Sequence, residues 1–196
     1  MKRFIAFITV IGIVISASTG SFAVSNAKLP KKKQTQLGLY MTAPETMKHM
    51  HKHAKKTLFV DVRSRAEVNF LGTATIIDAV IPYMELSYSY EWNKKKGGYE
   101  MEVNSGFSNE VARRLKEKGL GKHDTIVLMC RSGKRSTKAA NVLASLGYTR
   151  VYSVIDGYEG DKAKQGPMKG QRIVNGWKNN RLPWTYKLDK KKMFEG

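Results

Sequence analysis

The sequence is nearly without cysteine: Cys130 is the only one in 196 residues. No internal disulfide can form, so a lone thiol in an exported chain needs a chemical or a packing reason to persist. Acidic residues are also scarce, with 16 Asp and Glu against 35 Lys and Arg and a net charge of +19. Such a field draws anionic small molecules, acidic proteins and anionic lipid head groups. Nucleic acid is not an expected partner, because basic and aromatic residues do not interleave as in an RNA-binding module and export argues against it. The runs Lys31 to Lys33, Lys94 to Lys96 and Lys190 to Lys192 read as solvated surface.

Long hydrophobic runs are confined to the first residues. Lys2 and Arg3 precede an apolar stretch from Phe4 to about Ala17, and small residues lead to Ser21-Phe22-Ala23. The stretch is shorter than the roughly 20 residues that span a bilayer. Residues 1–23 therefore read as an export signal cleaved near Ala23, with the periplasm as the expected compartment and an uncleaved anchor as the alternative. Cleavage takes away two cations and no acid, leaving 173 residues at +17. That length suits one domain with a real core.

Residues 24–41 are small, polar and basic and read as a flexible leader. Thr42-Ala43-Pro44-Glu45 has the form of a capped helix start, predicting a helix to about Lys55. Leu58 to Val62 and Ala79 to Pro82 read as strands, with a short helix-compatible stretch after Arg63. Residues 87–105 lack a core period and carry Gly97-Gly98, which marks an inserted loop or hairpin. Helical spacing at Val111, Leu115 and Leu120 predicts a helix from Ser108, with Gly119 and Gly121 as stop signals. Thr125 to Met129 is apolar throughout, as in a strand buried on both faces. Ala139, Val142, Leu143 and Leu146 follow at helical spacing up to Gly147, and Val151 to Ile155 reads as a last strand. The alternation predicts an α/β domain with a central, mostly parallel sheet flanked by helices.

Cys130 falls where the most apolar strand gives way to a helix, the usual ligand position of such a sheet. It opens the stretch Cys130-Arg131-Ser132-Gly133-Lys134-Arg135-Ser136. Gly133 permits a tight turn, and the small Ser132 and Ser136 let backbone N–H groups face the sulfur. The helix start and the cations Arg131, Lys134 and Arg135 favour negative charge at that point, which is the nucleophilic form of a thiol. A structural cysteine packed as a small hydrophobe is the competing reading, and a solvated basic turn is the competing reading for the cations.

Cys130 to Arg135 resembles the six-residue active-site loop of rhodanese-type sulfurtransferases. Asp61-Val62-Arg63, Glu67, Phe70, Gly72 and Ala79 to Pro82 resemble the family's amino-terminal half in order and spacing, and Gly157 and Trp177 to Pro183 its carboxy-terminal end. The resemblance covers roughly residues 42–184, with a basic tail at 185–196. The family's usual pair of adjacent glycines after the last strand is replaced by Asp156-Gly157-Tyr158-Glu159-Gly160. About 15 extra residues, 161–175, then precede Gly176-Trp177.

The resemblance implies a single rhodanese-like domain, without a cofactor or metal, in which Cys130 becomes a persulfide. Its thiolate would take the outer sulfur of an anionic donor such as thiosulfate, and an external thiol, cyanide or a protein would remove it. The loop residues Arg131, Ser132, Gly133, Lys134, Arg135 and Ser136 would bind the substrate. The alternative is a persulfide carrier or redox-binding module serving one partner protein. Cysteine phosphatases of related fold use a loop one residue longer, whose arginine would fall at Ser136, so that activity is disfavoured. Asp61 and Arg63 read as a structural pair. His49, His51 and His53 read as a solvated helix face rather than a metal site. Tyr158, Trp177, Trp184 and Tyr186 read as packing of the carboxy-terminal segment on the core.

Overall fold

The computed structural model describes residues 29–196. The expected export signal and its expected cleavage point lie outside these residues, as does the start of the expected leader. Among the described residues, no helix is long and apolar enough to cross a membrane.

Helix α1, Ala43–His53, starts where the capping pattern predicts: the Thr42 amide donates to the Glu45 carboxylate at 2.7 Å while Thr42 Oγ1 accepts from the Glu45 amide at 3.3 Å. Two otherwise orphaned donors are thereby satisfied. Ser64 and Glu67 repeat the device at α2, Arg65–Leu71. Helices α3, Phe107–Glu117, and α4, Lys134–Ser145, end just before Gly119 and Gly147. In both, the amide after the glycine returns to a carbonyl of the last turn, Leu120 to Leu115 and Tyr148 to Leu143.

Five strands form the central sheet: β1, Tyr40–Met41; β2, Thr57–Asp61; β4, Ala79–Val80; β9, Thr125–Met129; and β10, Val151–Val154. Their order is β1-β10-β9-β2-β4 and every pairing is parallel. Side chains alternate across a strand, so each face gathers its own core. On one face Leu58, Val60, Ile126, Leu128 and Cys130 meet Phe107, Val111 and Leu115 of α3 and Ala139 and Leu143 of α4. On the other, Phe59, Val127 and Met129 meet Ala43 and Met50 of α1, Val68 of α2, Tyr158 and Trp177. Helices on both sides explain why β2 and β9 read as unbroken apolar runs rather than alternating ones.

The 24–41 reading requires correction over its described part. Tyr40 and Met41 pair with Ser153 and Val154 as the edge strand β1, and Lys31–Lys33 forms a 3₁₀ turn. The segment is fixed by polar contacts: Lys33 Nζ to Asp161 at 2.9 Å, the Thr35 amide to the Tyr40 hydroxyl at 2.6 Å, and the Gln36 amide to Asn141 at 2.8 Å. Its composition suggested a leader because apolar burial contributes little there. The 185–196 tail is docked as well. Strand β11, Trp184–Thr185, pairs antiparallel with β3, Thr73–Ala74, and Met193 bridges to Val80 at the sheet edge.

The first insertion is a two-storey hairpin that begins slightly before residue 87. Strands β5, Met84–Leu86, and β8, Met101–Val103, pair at its base, and β6, Trp92–Asn93, and β7, Gly98–Tyr99, pair near its tip. The second, 161–175, leaves and rejoins the domain at one point, where Gly160 and Gly176 pack backbone to backbone. A cross-bridge between Lys162 and Arg172 narrows the excursion.

Candidate active site

Cys130 directly follows β9 and is almost fully buried. Its Sγ accepts the Gly133 amide at 3.2 Å and lies 3.5 Å from Ser136 Oγ, which in turn lies 2.9 Å from Ser153 Oγ. The sulfur thus sits between a backbone donor at the start of α4 and a chain of two hydroxyls reaching into the sheet.

Two glycines shape the loop. Gly133 has φ of +86°, and a Cβ there would stand 2.2 Å from the Ile155 carbonyl oxygen. Gly157 has φ of +66°, and a Cβ there would meet the Cys130 oxygen at 2.5 Å and the Ser132 nitrogen at 2.6 Å. Both positions combine left-handed backbone with a close approach that only glycine allows. The turn after β10 grips the loop directly: the Tyr158 amide donates to the Cys130 carbonyl at 2.8 Å and the Glu159 amide to the Arg131 carbonyl at 3.0 Å. These carbonyls are occupied by the turn, and the first amides of α4 have no intrahelical partner and suit an anionic centre.

Arg135 makes a contact that the sequence did not suggest. Its two terminal nitrogens engage both oxygens of Glu67 at 2.5 Å, tying the loop to α2. Burial works against the Glu67 carboxylate, yet the Arg135 hydrogen bonds and charge outweigh it and hold the carboxyl at about 2. Burial likewise opposes the Arg135 charge, which Glu67 restores, with a smaller contribution from Cys130. Arg135 therefore contributes a fixed positive field near the sulfur while its fork is committed to Glu67.

Asp61 and Arg63 form the buried pair the sequence suggested, with Arg63 Nη2 2.6 Å from Asp61 Oδ2, 2.8 Å from the Gly72 carbonyl oxygen, and its guanidinium 3.7 Å over the Tyr158 ring. Burial pushes the Tyr158 hydroxyl well above its ordinary range. Tyr158 and Trp177 belong to the core, whereas Trp184 is half-buried and Tyr186 exposed, edge to face with each other. His49 bonds Thr57 Oγ1 at 2.8 Å and packs on His53. Among the described residues, no group of three His, Cys, Asp or Glu side chains could hold a metal ion.

The structure brings Gly133, Arg135 and Ser136 together around or behind Cys130, while Arg131, Ser132 and Lys134 line a neighbouring cavity. Arg131 is exposed, with Nε 3.8 Å from Glu159. Sequence reasoning did not single out Glu67, Ser153 or Gly157 as parts of the site. The Ser-x-x-Glu pattern at Ser64 could have flagged Glu67 as held in place. Nothing local marks Ser153.

A profile described as Rhodanese-like domain matches residues 42–164. The uncharacterized protein RP600 of Rickettsia prowazekii is 33% identical over 129 residues, which is 65% of this chain and 81% of that protein. An RP600 homolog of Rickettsia rickettsii is 31% identical over 128 residues, with the same shares covered. The crystal structure of Rv0390 from M. tuberculosis aligns with a TM-score of 0.55 and 25% identity, covering 75% of this chain and 96% of that one.

Proposed function

Because this chain belongs to the rhodanese-like domain family, and so is a sulfurtransferase-like or sulfur-binding module, we propose that it transfers a sulfane sulfur through a persulfide on Cys130. The observation that carries the proposal is the setting of Sγ: a near-buried sulfur at a strand end, 3.2 Å from the Gly133 amide, inside a six-residue loop. Such a cradle suits a negatively charged sulfur and its persulfide alike. The occupied fork of Arg135 also argues against phosphate chemistry, which needs a free bidentate arginine.

In the first half-reaction the Cys130 thiolate attacks the outer sulfur of thiosulfate. The donor's S–S bond breaks and sulfite departs with the electron pair, leaving Cys130 persulfidic. In the second, an acceptor such as cyanide or a thiol attacks the outer sulfur and the pair returns to Sγ. No second cysteine exists to resolve the persulfide, so the acceptor is external. Export to the periplasm, where small sulfur anions and thiols are accessible, is part of the proposal.

The test is thiocyanate formation from thiosulfate and cyanide. Wild-type protein should turn over and Cys130→Ser should be inactive; turnover retained in the variant would remove Cys130 from the mechanism.

A further inference from the structure

A cavity of about 1180 Å³ opens where three distant segments meet: residues 29–33, the Cys130 loop at Arg131, Ser132 and Lys134, and the 161–175 insertion. Ligand pockets for drug-sized molecules run to roughly 300–1,000 Å³. A space this large exceeds the need of an anion the size of thiosulfate.

The lining carries an unbalanced charge. Lys32, Arg131, Lys134, Lys162, Lys164 and Arg172 border it, against two carboxylates, Asp156 and Asp161. Both acids are already engaged. Asp156 accepts the amides of Ala43 at 2.8 Å and Gly176 at 3.1 Å, and Asp161 holds Lys33 and Asn175. Among the described residues, Lys32, Lys134, Lys162, Lys164 and Arg172 have no carboxylate within 4.0 Å, the limit for an ion pair. The crowding has an electrostatic effect: burial, then repulsion from Lys32, Arg172 and Lys33, holds the Lys134 ammonium below the ordinary lysine range. Burial and Arg131 act on Arg172 in the same direction. A bound anion would relieve both. Leu29, Pro30, Pro44, Ile155 and Val174 add apolar wall on which a carbon skeleton can lie.

We propose that this cavity is a binding site for an organic polyanion, a molecule carrying two or more phosphate or carboxylate groups, held beside the Cys130 loop. It goes beyond sulfur transfer and does not need that chemistry to be right, because occupancy is read as binding alone. The insertion and the amino-terminal segment thereby acquire a shared purpose: neither cation cluster is complete without the other.

The test is calorimetric titration of the full mature chain with citrate, inorganic pyrophosphate and sulfate at low ionic strength. The proteins compared are wild type, Lys32→Gln/Lys164→Gln, and the charge-matched control Lys94→Gln/Lys95→Gln on the hairpin. All four lysines are exposed, so both variants should fold. Citrate or pyrophosphate should bind at least about tenfold more tightly than sulfate, and the cavity variant should lose about tenfold in affinity while the control keeps it. Tighter binding of pyrophosphate than of citrate would assign phosphate as the preferred group, and the reverse order carboxylate. Equal weakening in both variants would reduce the effect to the overall charge, and polyanion binding no tighter than sulfate would overturn the site.

Discussion

The Cys130 loop and the basic cavity beside it share Arg131, Ser132 and Lys134, yet they are built on opposite plans. The loop is local: six consecutive residues, a strand behind and a helix ahead, with the sulfur placed by an amide three positions away. The cavity is assembled from segments that begin near residues 29, 131 and 161; the Lys33–Asp161 ion pair joins the first to the third, and most of the cations around it have no carboxylate partner. A locally encoded site tolerates little change within its own span, whereas an assembled one can lose a contributor and keep its scaffold.

The sharpest break in that comparison should come at Gly133. Gly133→Ala places a Cβ against the Ile155 carbonyl in a left-handed conformation. The expected cost is about 3 kcal/mol or more, read by urea unfolding, with sulfur transfer lost in whatever protein remains folded.

Glu67 gives the next effect. Glu67→Gln removes the carboxylate beneath Arg135 and leaves a largely buried guanidinium without its counter-charge, for an expected loss of about 2–4 kcal/mol. The pH dependence follows from the sign of the shift. Folding lowers the Glu67 carboxyl from 4.5 to about 2, so its stabilisation is complete above the unfolded value and is lost as pH falls through that interval. Wild type should therefore lose stability across that window, and Glu67→Gln should show a flatter acid limb in thermal melts taken at stepped pH. Parallel limbs would mean that the pair does not tie the loop.

The hairpin should matter least to the fold. Tyr88, Tyr90, Trp92 and Tyr99 are more than half exposed at a tip remote from the two cores. Tyr88→Ser/Trp92→Ser should change unfolding stability by less than about 1 kcal/mol. A larger loss would mean that the hairpin supports the domain.

What could be read from the sequence follows the same division. Thr125 to Met129, the capping pattern at Thr42 and Glu45, and the stops at Gly119 and Gly147 were legible because each signal lies within a few residues of the structure it specifies. The loop was legible for the same reason. The tie from Arg135 to Glu67 was hidden because the two lie 68 positions apart. Strand β1 and the docking of residues 29–39 were hidden because they depend on a backbone ladder to β10 and on polar contacts to Asp161, Thr137 and Asn141. Lysine runs that read as solvated surface include Lys33, which is buried, and Lys32, which lines the cavity. A charge run carries no local information about which of its members turns inward.

The most direct measurement is the intact mass of the reduced protein before and after thiosulfate, and again after cyanide, with Cys130→Ser alongside. The expected result is the gain of one sulfur atom in wild type, absent from the variant and removed by cyanide. Thiocyanate turnover without any sulfur gained at Cys130, or equal gain in the variant, would contradict a Cys130 persulfide.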